Sequence, residues 1–453
     1  MSLQQDIRPT PPAPVIVTRH GPAAERASGT QPVLITPLTS IRFFAAVHIF
    51  LFHFLAMAWM AGPGSTSLGT FDQLPGWVVA FLTHGYCSTS LFFLLSGFIL
   101  TYLYVGPDGC QTADSRDFWL ARLTRVYPLH FAVLLLLVPF TLSMSRTFVK
   151  DPSFFGMPVS HEFFLAIGGV LSLTLTQAWF PEYALSWNAP TWALSAVLFF
   201  YLMFPPLVRW LARLSQPARW ALLLACPVVS LIPSMVLLLV FGVPRYDTFA
   251  RDKVLAFWNE FVMRTPLFWL PHFLMGMLLA RIFNINRLEG SWRRGPSRWG
   301  VSAGDLAAAL LLALFCVKDE IIARNVFGGR LYPHPFLRHG LLAPLYLVVL
   351  YDLANGRGLL AWLLSLPGLR PLGEASFSIF IWQVPVLILL HWLFPAAESA
   401  GAVIRLVLAV LTVTVVSLLS VYLFEKPLAR WLRRKLIGRR TTPTFGPREP
   451  RIV

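Results

Sequence analysis

The stretch Leu38–Met60, LTSIRFFAAVHIFLFHFLAMAWM, decides the fold class of this chain. It is apolar and long enough to cross a bilayer, which takes about 20 residues of helix. Arg42 and His53 interrupt it, and ionisable side chains at membrane depth are costly and usually functional. Eleven steps of about 100° bring His53 to within roughly 20° of Arg42, about 16 Å further along the helix. The stretch therefore predicts a first membrane helix with a cation near one surface and an imidazole near the bilayer centre, both on one face.

Further apolar runs place the whole chain among polytopic membrane proteins. The sequence has 453 residues, of which 56% are hydrophobic and only 13% are charged, far from the balance of a soluble protein. We expect an all-α fold with about ten transmembrane helices, because only helices satisfy their backbone within a single span. The predicted spans are 38–60, 77–104, 126–145, 191–211, 219–242, 266–284, 301–317, 339–355, 371–394 and 402–424.

An eleventh apolar segment, 163–180, is predicted to be re-entrant or to lie on the membrane surface. If it crossed, every later basic cluster would change sides, contrary to the positive-inside rule. With ten spans and cytoplasmic N- and C-termini, most basic loops face the cytoplasm, although Arg338 is among the cations that fall outside. The formal net charge of +16 therefore indicates membrane orientation, and no nucleic-acid partner is expected.

The ends of the chain differ in composition from its middle. Residues 1–35 are rich in Pro and Ala and predict a disordered cytoplasmic tail. Residues 36–432 form the predicted membrane domain, and residues 433–453 a basic cytoplasmic tail against the lipid headgroups of the bilayer. The four cysteines have no metal-ligand spacing, so no metal is expected.

Two arginines at a membrane entrance suggest an anion site. Arg122 and Arg125 are spaced i, i+3 and share a helix face just before a predicted span. Paired guanidinium groups suit bidentate phosphate binding, although positive-inside anchoring would also explain them. Similarly, Arg42 could be a snorkelling residue and His53 a hydrogen-bonded core histidine. As a neutral imidazole in a dry cavity, His53 could instead take a proton from a hydroxyl that attacks an activated acyl group.

Four further polar or amphipathic residues are candidates for a supporting role. Asn188, Trp192 and Ser195 lie where the fourth predicted span begins, and Glu425 lies at the end of the last span. Capping, aromatic-belt and packing roles would also explain the first three. Glu425 is a candidate ion-pair partner for Arg122 or Arg125.

Five of these segments together resemble the membrane acyltransferase 3 family, over about residues 36–432. The family's first-helix motif is an Arg, ten residues and a His, as at Arg42 and His53. The other matching segments, in order, are Leu91–Phe98, Arg122–Leu129, Thr191–Ser195 followed by Phe199–Pro205, and Glu425–Leu428; weaker matches are Pro271–Met277 and Leu372–Ser378.

The resemblance implies a ten-helix enzyme of the bacterial inner membrane. Members of the family transfer acyl groups, usually acetyl from acetyl-CoA, to hydroxyls of sugars on surface polysaccharides, lipid-linked glycans or exported small molecules. On this basis Arg42 and His53 match the catalytic pair, and Arg122 and Arg125 match the motif expected near the CoA phosphates. The expected partners are therefore acyl-CoA, a carbohydrate or small-molecule hydroxyl acceptor, and the bilayer itself.

Three positions depart from the family pattern. Val197 stands where a Glu is common, Gln383 where a His is common, and His272 where a Glu is frequent. His272 is therefore a candidate for restoring a titratable group. Two alternative functions follow: a transporter or flippase without chemistry, and a degenerate member that binds CoA without turnover.

Overall fold

A computed structural model describes residues 35–60, 74–106, 108–149, 152–154, 156–241, 253–288, 300–318, 321–322, 334–393 and 401–436. This part of the chain is almost entirely helical, as the all-α prediction requires. Its only sheet pairs β1 (Ser153–Phe154) with β2 (Met157–Pro158). The predicted tails at 1–35 and 433–453 lie almost wholly outside the described residues, except that 433–436 belong to the last helix.

The helices follow the predicted apolar runs. The first eight are α1 (Thr36–Met60), α2 (Gly76–Thr83), α3 (Ser88–Tyr104), α4 (Ser115–Phe148), α5 (His161–Thr174), α6 (Trp192–Ala212), α7 (Gln216–Phe241) and α8 (Lys253–Arg264). The next are α9 (Pro266–Leu288), α10 (Ala303–Phe315), α11 (His334–Leu341), α12 (Ala343–Asn355), α13 (Gly358–Leu364), α14 (Leu369–Glu374), α15 (Ser376–Leu393), α16 (Ala402–Leu419) and α17 (Lys426–Leu436). A π-helical turn, Ser420–Glu425, joins the last two, and short 3-10 turns lie at His84–Cys87, Gln177–Trp179, Pro181–Tyr183 and Ala189–Thr191.

Seven helices in the described residues are long and apolar enough to cross a membrane, or eight if the bent pair α11 and α12 is one span. The predicted spans 301–317 and 371–394 appear as the shorter apolar helices α10 and α15. A capping box formed by Ser302 and Asp305 fixes the start of α10, which at 13 residues is about 20 Å long, less than a bilayer core of about 30 Å. The 14 residues of α5 are also too few to cross, in agreement with the prediction for 163–180.

The centre of the bundle is the contact between α3 and α9, which is the most extensive helix pair in the described part of the chain. A Cβ atom on Gly97 of α3 would lie 2.0 Å from the Phe273 carbonyl oxygen of α9. A Cβ atom on Gly276 of α9 would likewise lie 2.0 Å from the Leu94 carbonyl oxygen of α3. Small residues allow such close approach between membrane helices, so these two glycines set the distance between α3 and α9.

Candidate functional site

His53 is partly buried in the bundle, and its ring is held by a residue far away in the sequence. Its Nδ1 lies 2.7 Å from Oε1 of Gln383 on α15. An amide oxygen can only accept, so Nδ1 carries the proton and donates it. The amide nitrogen of Gln383 donates in turn to the Phe380 carbonyl oxygen at 3.1 Å, which fixes the orientation of the amide. The neutral His53 ring therefore keeps the lone pair of Nε2 available as a base.

The other histidine of α1 has different partners. His48 is buried, and its Nε2 donates to the Phe81 carbonyl oxygen at 2.7 Å. Its Nδ1 then accepts from the Ser88 hydroxyl at 2.9 Å. Because both ring nitrogens are occupied within the protein, His48 has no nitrogen left for a substrate.

Arg42, Arg122 and Arg125 lie within electrostatic range of one another. Arg42 interacts electrostatically with both arginines of α4. Arg122 donates from Nη2 to the Tyr104 hydroxyl at 2.6 Å, and its guanidinium carbon lies 5.0 Å from the centre of the Tyr104 ring. The last turns of α17 add Arg433, which interacts electrostatically with Arg122 and Arg125. We call these four residues the arginine cluster: Arg42, Arg122, Arg125 and Arg433.

The arginine cluster carries positive charge without local compensation. Within the part of the chain that the structure describes, no carboxylate lies within ion-pair distance of its guanidinium groups. The buried Nε atoms of Arg122 and Arg433 also have no hydrogen-bond partner. Buried donors without a partner are rare, so the cluster suits a ligand with several anionic oxygens.

Glu425 faces this cluster without forming a salt bridge to it. Its carboxylate accepts hydrogen bonds from the hydroxyls of Ser378 and Ser420, the latter at 3.1 Å. Arg125 acts on it only at longer electrostatic range. The ion pair that we considered from the sequence is therefore not formed, and the two serine hydroxyls hold one oxygen of the carboxylate, Oε1.

A neighbouring carboxylate, Glu374, holds α17 beside the cluster. It accepts from Lys426 Nζ at 2.6 Å and from Arg370 Nε at 3.2 Å. The two cations favour the charged form of the Glu374 carboxylate. Glu374 thereby ties the start of α17 to the end of α14.

Asn188, Trp192 and Ser195 are all buried where α6 begins. The Asn188 side chain donates to the Ile381 carbonyl oxygen on α15 at 3.2 Å, two residues from Gln383. Oγ of Ser195 and Oδ1 of Asn188 have no hydrogen-bond partner. Asn188 thus links the turn before α6 to the helix that orients His53.

His272 is fully buried on α9, and neither ring nitrogen has a hydrogen-bond partner. Its ring centre lies 5.2 Å from that of Trp269 and 6.4 Å from that of His339. Two arginines next to this group, Arg264 and Arg338, interact electrostatically with His53. The sequence analysis missed both as site residues and placed Arg338 in an outside loop.

Among the described residues, no three His, Cys, Asp or Glu side chains are grouped as metal ligands would be. The charged groups that act on His53 are the guanidinium groups of Arg264 and Arg338. They are suited to the binding of negative charge.

Comparison with known proteins identifies the family of the chain. A family model described as an acyltransferase domain matches residues 38–424. The chain belongs to the acyltransferase 3 family. As a member of that family it is an acyltransferase, and its many apolar helices make it a multi-pass membrane protein.

Several curated acyltransferases are similar to this acyltransferase 3 member. Acyltransferase MdmB of Streptomyces mycarofaciens is 28% identical over 424 residues, which cover 89% of this chain and 94% of MdmB. The putative peptidoglycan O-acetyltransferase YrhL of Bacillus subtilis is 24% identical, over 76% of this chain and 50% of YrhL. O-acetyltransferase OatA of Staphylococcus aureus is 22% identical, over 80% of this chain and 52% of OatA.

The chain thus spans about half the length of YrhL and OatA but nearly all of MdmB. No solved structure matches it significantly.

Proposed function

We propose that this acyltransferase moves an acyl group, preferentially acetyl, from acyl-CoA to a hydroxyl of a sugar or another exported or cell-surface acceptor. The enzyme acts in the bacterial inner membrane with both termini in the cytoplasm. The observation that carries the proposal is His53, whose Nδ1–H is held by Gln383 and whose Nε2 is left as a base.

The donor binds at the arginine cluster. The phosphates of CoA are polyanionic, and the cluster offers four guanidinium groups without a carboxylate in ion-pair range among the described residues. Arg42 and His53 are separated by about 16 Å along α1. An extended pantetheine arm spans a distance of that order, so the thioester reaches His53 while the phosphates stay at the arginines.

The transfer then needs one base, which is His53. Nε2 takes the proton of the acceptor hydroxyl as its oxygen attacks the thioester carbonyl carbon. The C–S bond breaks, an ester forms, and the imidazolium returns the proton to the CoA thiolate. A variant of this path, in which Nε2 itself carries the acyl group transiently, uses the same nitrogen.

A direct test uses purified protein in nanodiscs with radiolabelled acetyl-CoA. We expect CoA release or acyl transfer by the wild type, and at least a hundredfold loss in His53→Gln with CoA binding retained, because a general base contributes about 10²–10⁴-fold. His161→Gln, at the start of α5, is the matched control. Inert binding of acetyl-CoA by the wild type would contradict the proposal and favour a transporter or a degenerate CoA-binding protein. Full activity of His53→Gln would instead contradict the role of His53 as the base.

A further inference from the structure

A second group of cations lies within electrostatic range of His53. The guanidinium carbon of Arg338 is 5.1 Å from the ring centre of Trp192 and 5.6 Å from that of Trp269. Arg264 also lies over Trp192, at 5.7 Å. The Trp269 ring is in turn 4.2 Å from that of His339. We call this group the Arg338 cluster: Trp192, Arg264, Trp269, His272, Arg338 and His339.

The Arg338 cluster holds an excess positive charge. Arg264 forms an ion pair with Glu260 one turn earlier on α8. Arg338 is 6% exposed, and no carboxylate of the described residues lies within ion-pair distance of it. Glu260 reaches Arg338 only at longer electrostatic range, and Arg264 repels it. A buried cation without a paired anion is costly, so this site favours a ligand that supplies negative charge.

Five buried nitrogens of the Arg338 cluster lack a hydrogen-bond partner: Nε of Arg338 and both ring nitrogens of His272 and of His339. Native proteins satisfy most buried polar atoms, through protein groups, ordered water or ligands. So many open positions in one place indicate a polar ligand with several oxygens. The two tryptophans supply rigid walls beside them.

The backbone at Arg338 is broken. The pair α11 and α12 is bent by 43°, and His339 (φ −107°, ψ 64°) and Gly340 (φ 107°) leave helical geometry at the break. Serines from two other helices contact the freed carbonyl oxygens. Ser90 donates to that of Arg338 at 2.6 Å, and Ser230 shares its hydroxyl hydrogen between the carbonyls of Pro227 at 2.7 Å and His339 at 3.2 Å. Broken membrane helices occur where backbone lines a cavity or a substrate site.

His53 lies within electrostatic range of Arg264 and Arg338, whereas Arg42 interacts with the arginines of α4. The two cationic clusters therefore serve different parts of the reaction. We propose that the Arg338 cluster binds an anionic group of the acceptor, a phosphoryl or carboxylate group on a sugar, and so presents a neighbouring hydroxyl to Nε2 of His53. This assignment rests on the proposed function, because it takes the acceptor to be the substrate acylated at His53.

Binding of model acceptors tests the assignment. The full chain in nanodiscs, saturated with CoA to fill the arginine cluster, is titrated calorimetrically with glucose, glucose 1-phosphate and glucuronate. We expect the two charged sugars to bind about tenfold more tightly than glucose, which is about 1.4 kcal/mol. Arg338→Gln should abolish this preference and Arg338→Lys should keep part of it. The control Arg209→Gln, which changes an exposed arginine on α6, should keep all of it.

The pattern of sugar binding shows whether the site takes a phosphoryl group, a carboxylate group or no anion. A preference for glucose 1-phosphate alone identifies a phosphoryl acceptor, and one for glucuronate alone a carboxylate acceptor. Equal binding of all three sugars, displacement of the charged sugars by CoA, or an intact preference in Arg338→Gln would overturn the inference. Thermal melting of the proteins without ligand identifies variants that do not fold. If Arg338→Gln does not fold, the comparison is made with Arg338→Lys.

The outcomes also separate this inference from the proposed function. If acyl transfer depends on His53 but shows no preference for charged acceptors, the proposed function stands and the anion site is wrong. If the wild type releases no CoA from acetyl-CoA, the proposed function is wrong, while the titration still reports on the anion site.

Discussion

Nδ1 of His53 donates to Oε1 of Gln383 across 330 residues of sequence, at 2.7 Å. The bond selects one tautomer of the imidazole and leaves Nε2 as its basic nitrogen. Gln383 is completely buried, so its amide is held inside the protein. Gln383 is thus a positioning residue that acts on the reaction only through His53.

We expect Gln383→Leu to lower kcat by roughly tenfold, the worth of one lost buried hydrogen bond of about 1–1.5 kcal/mol, with the KM for acetyl-CoA unchanged. Gln383→Glu retains an acceptor for the His53 proton and should keep more activity than the leucine variant. Initial rates over a range of acetyl-CoA concentrations measure both constants. A rise in KM with constant kcat would show that Gln383 serves binding instead.

The arginine cluster should recognise the phosphates of CoA. We expect Arg122→Gln and Arg433→Gln each to weaken CoA binding by about tenfold and to reduce the preference for CoA over 3′-dephospho-CoA, because guanidinium–phosphate contacts are charge-assisted. The remaining affinity should depend less steeply on salt. Arg430→Gln is the control, since this exposed arginine of α17 donates to the Lys426 carbonyl oxygen outside the cluster. Unchanged affinity in the first two variants would remove the phosphate-binding role.

The close contact of α3 and α9 should tolerate no side chain at its glycines. Gly97→Ala and Gly276→Ala each place a methyl group 2.0 Å from a backbone oxygen, so we expect a loss of about 1–3 kcal/mol in stability. Thermal melting in detergent measures the loss. The control is Gly368→Ala, because a Cβ there has no atom within 4 Å. Equal melting temperatures for all three variants would mean that α3 and α9 can separate without cost.

The orientation of the chain can be read from Cys110, which is exposed in the turn between α3 and α4. With a cytoplasmic N-terminus this turn faces the cytoplasm. A membrane-impermeant maleimide should therefore label Cys110 in inverted vesicles and not in intact spheroplasts, with Cys110→Ser as the control for the other thiols. Labelling in spheroplasts would reverse the orientation.

Much of the fold followed from apolar length alone. A helix that crosses a bilayer needs a long run of apolar residues, so each predicted span contains a helix of the structure. The lengths of α10 and α15 could not be predicted from the sequence, because the ends of these helices depend on contacts within the folded chain. At α10, for example, the Asp305 carboxylate accepts from the backbone nitrogens of Ser302, Leu359 and Leu360, and two of these lie more than 50 residues further along the chain.

The candidate site was only half visible in the sequence. Arg42 and His53 share one helix, so their geometry follows from helical periodicity. Gln383 has no periodic relation to His53 in the sequence, and only the folded structure brings its side chain next to the imidazole. Arg338 was placed in an outside loop because counting charges uses only the position of a residue in the sequence. It cannot show that α11 breaks at this point and that Arg338 is buried in the bundle. Arg433 was assigned to a headgroup anchor for a similar reason.

Gly340 fixes the geometry of the break between α11 and α12. Its φ of 107° excludes ordinary side chains, and a Cβ there would lie 2.0 Å from the Ser230 hydroxyl. Serines of α3 and α7 donate to the carbonyls of the two residues just before Gly340. Arg338 therefore lies on a kinked backbone segment that is held by two neighbouring helices. Gly340, which has no side chain, determines the position of the Arg338 charge. Selectivity for the acceptor would then depend on this rigid segment. It could be re-engineered by shifting the kinked segment as well as by substituting Arg338.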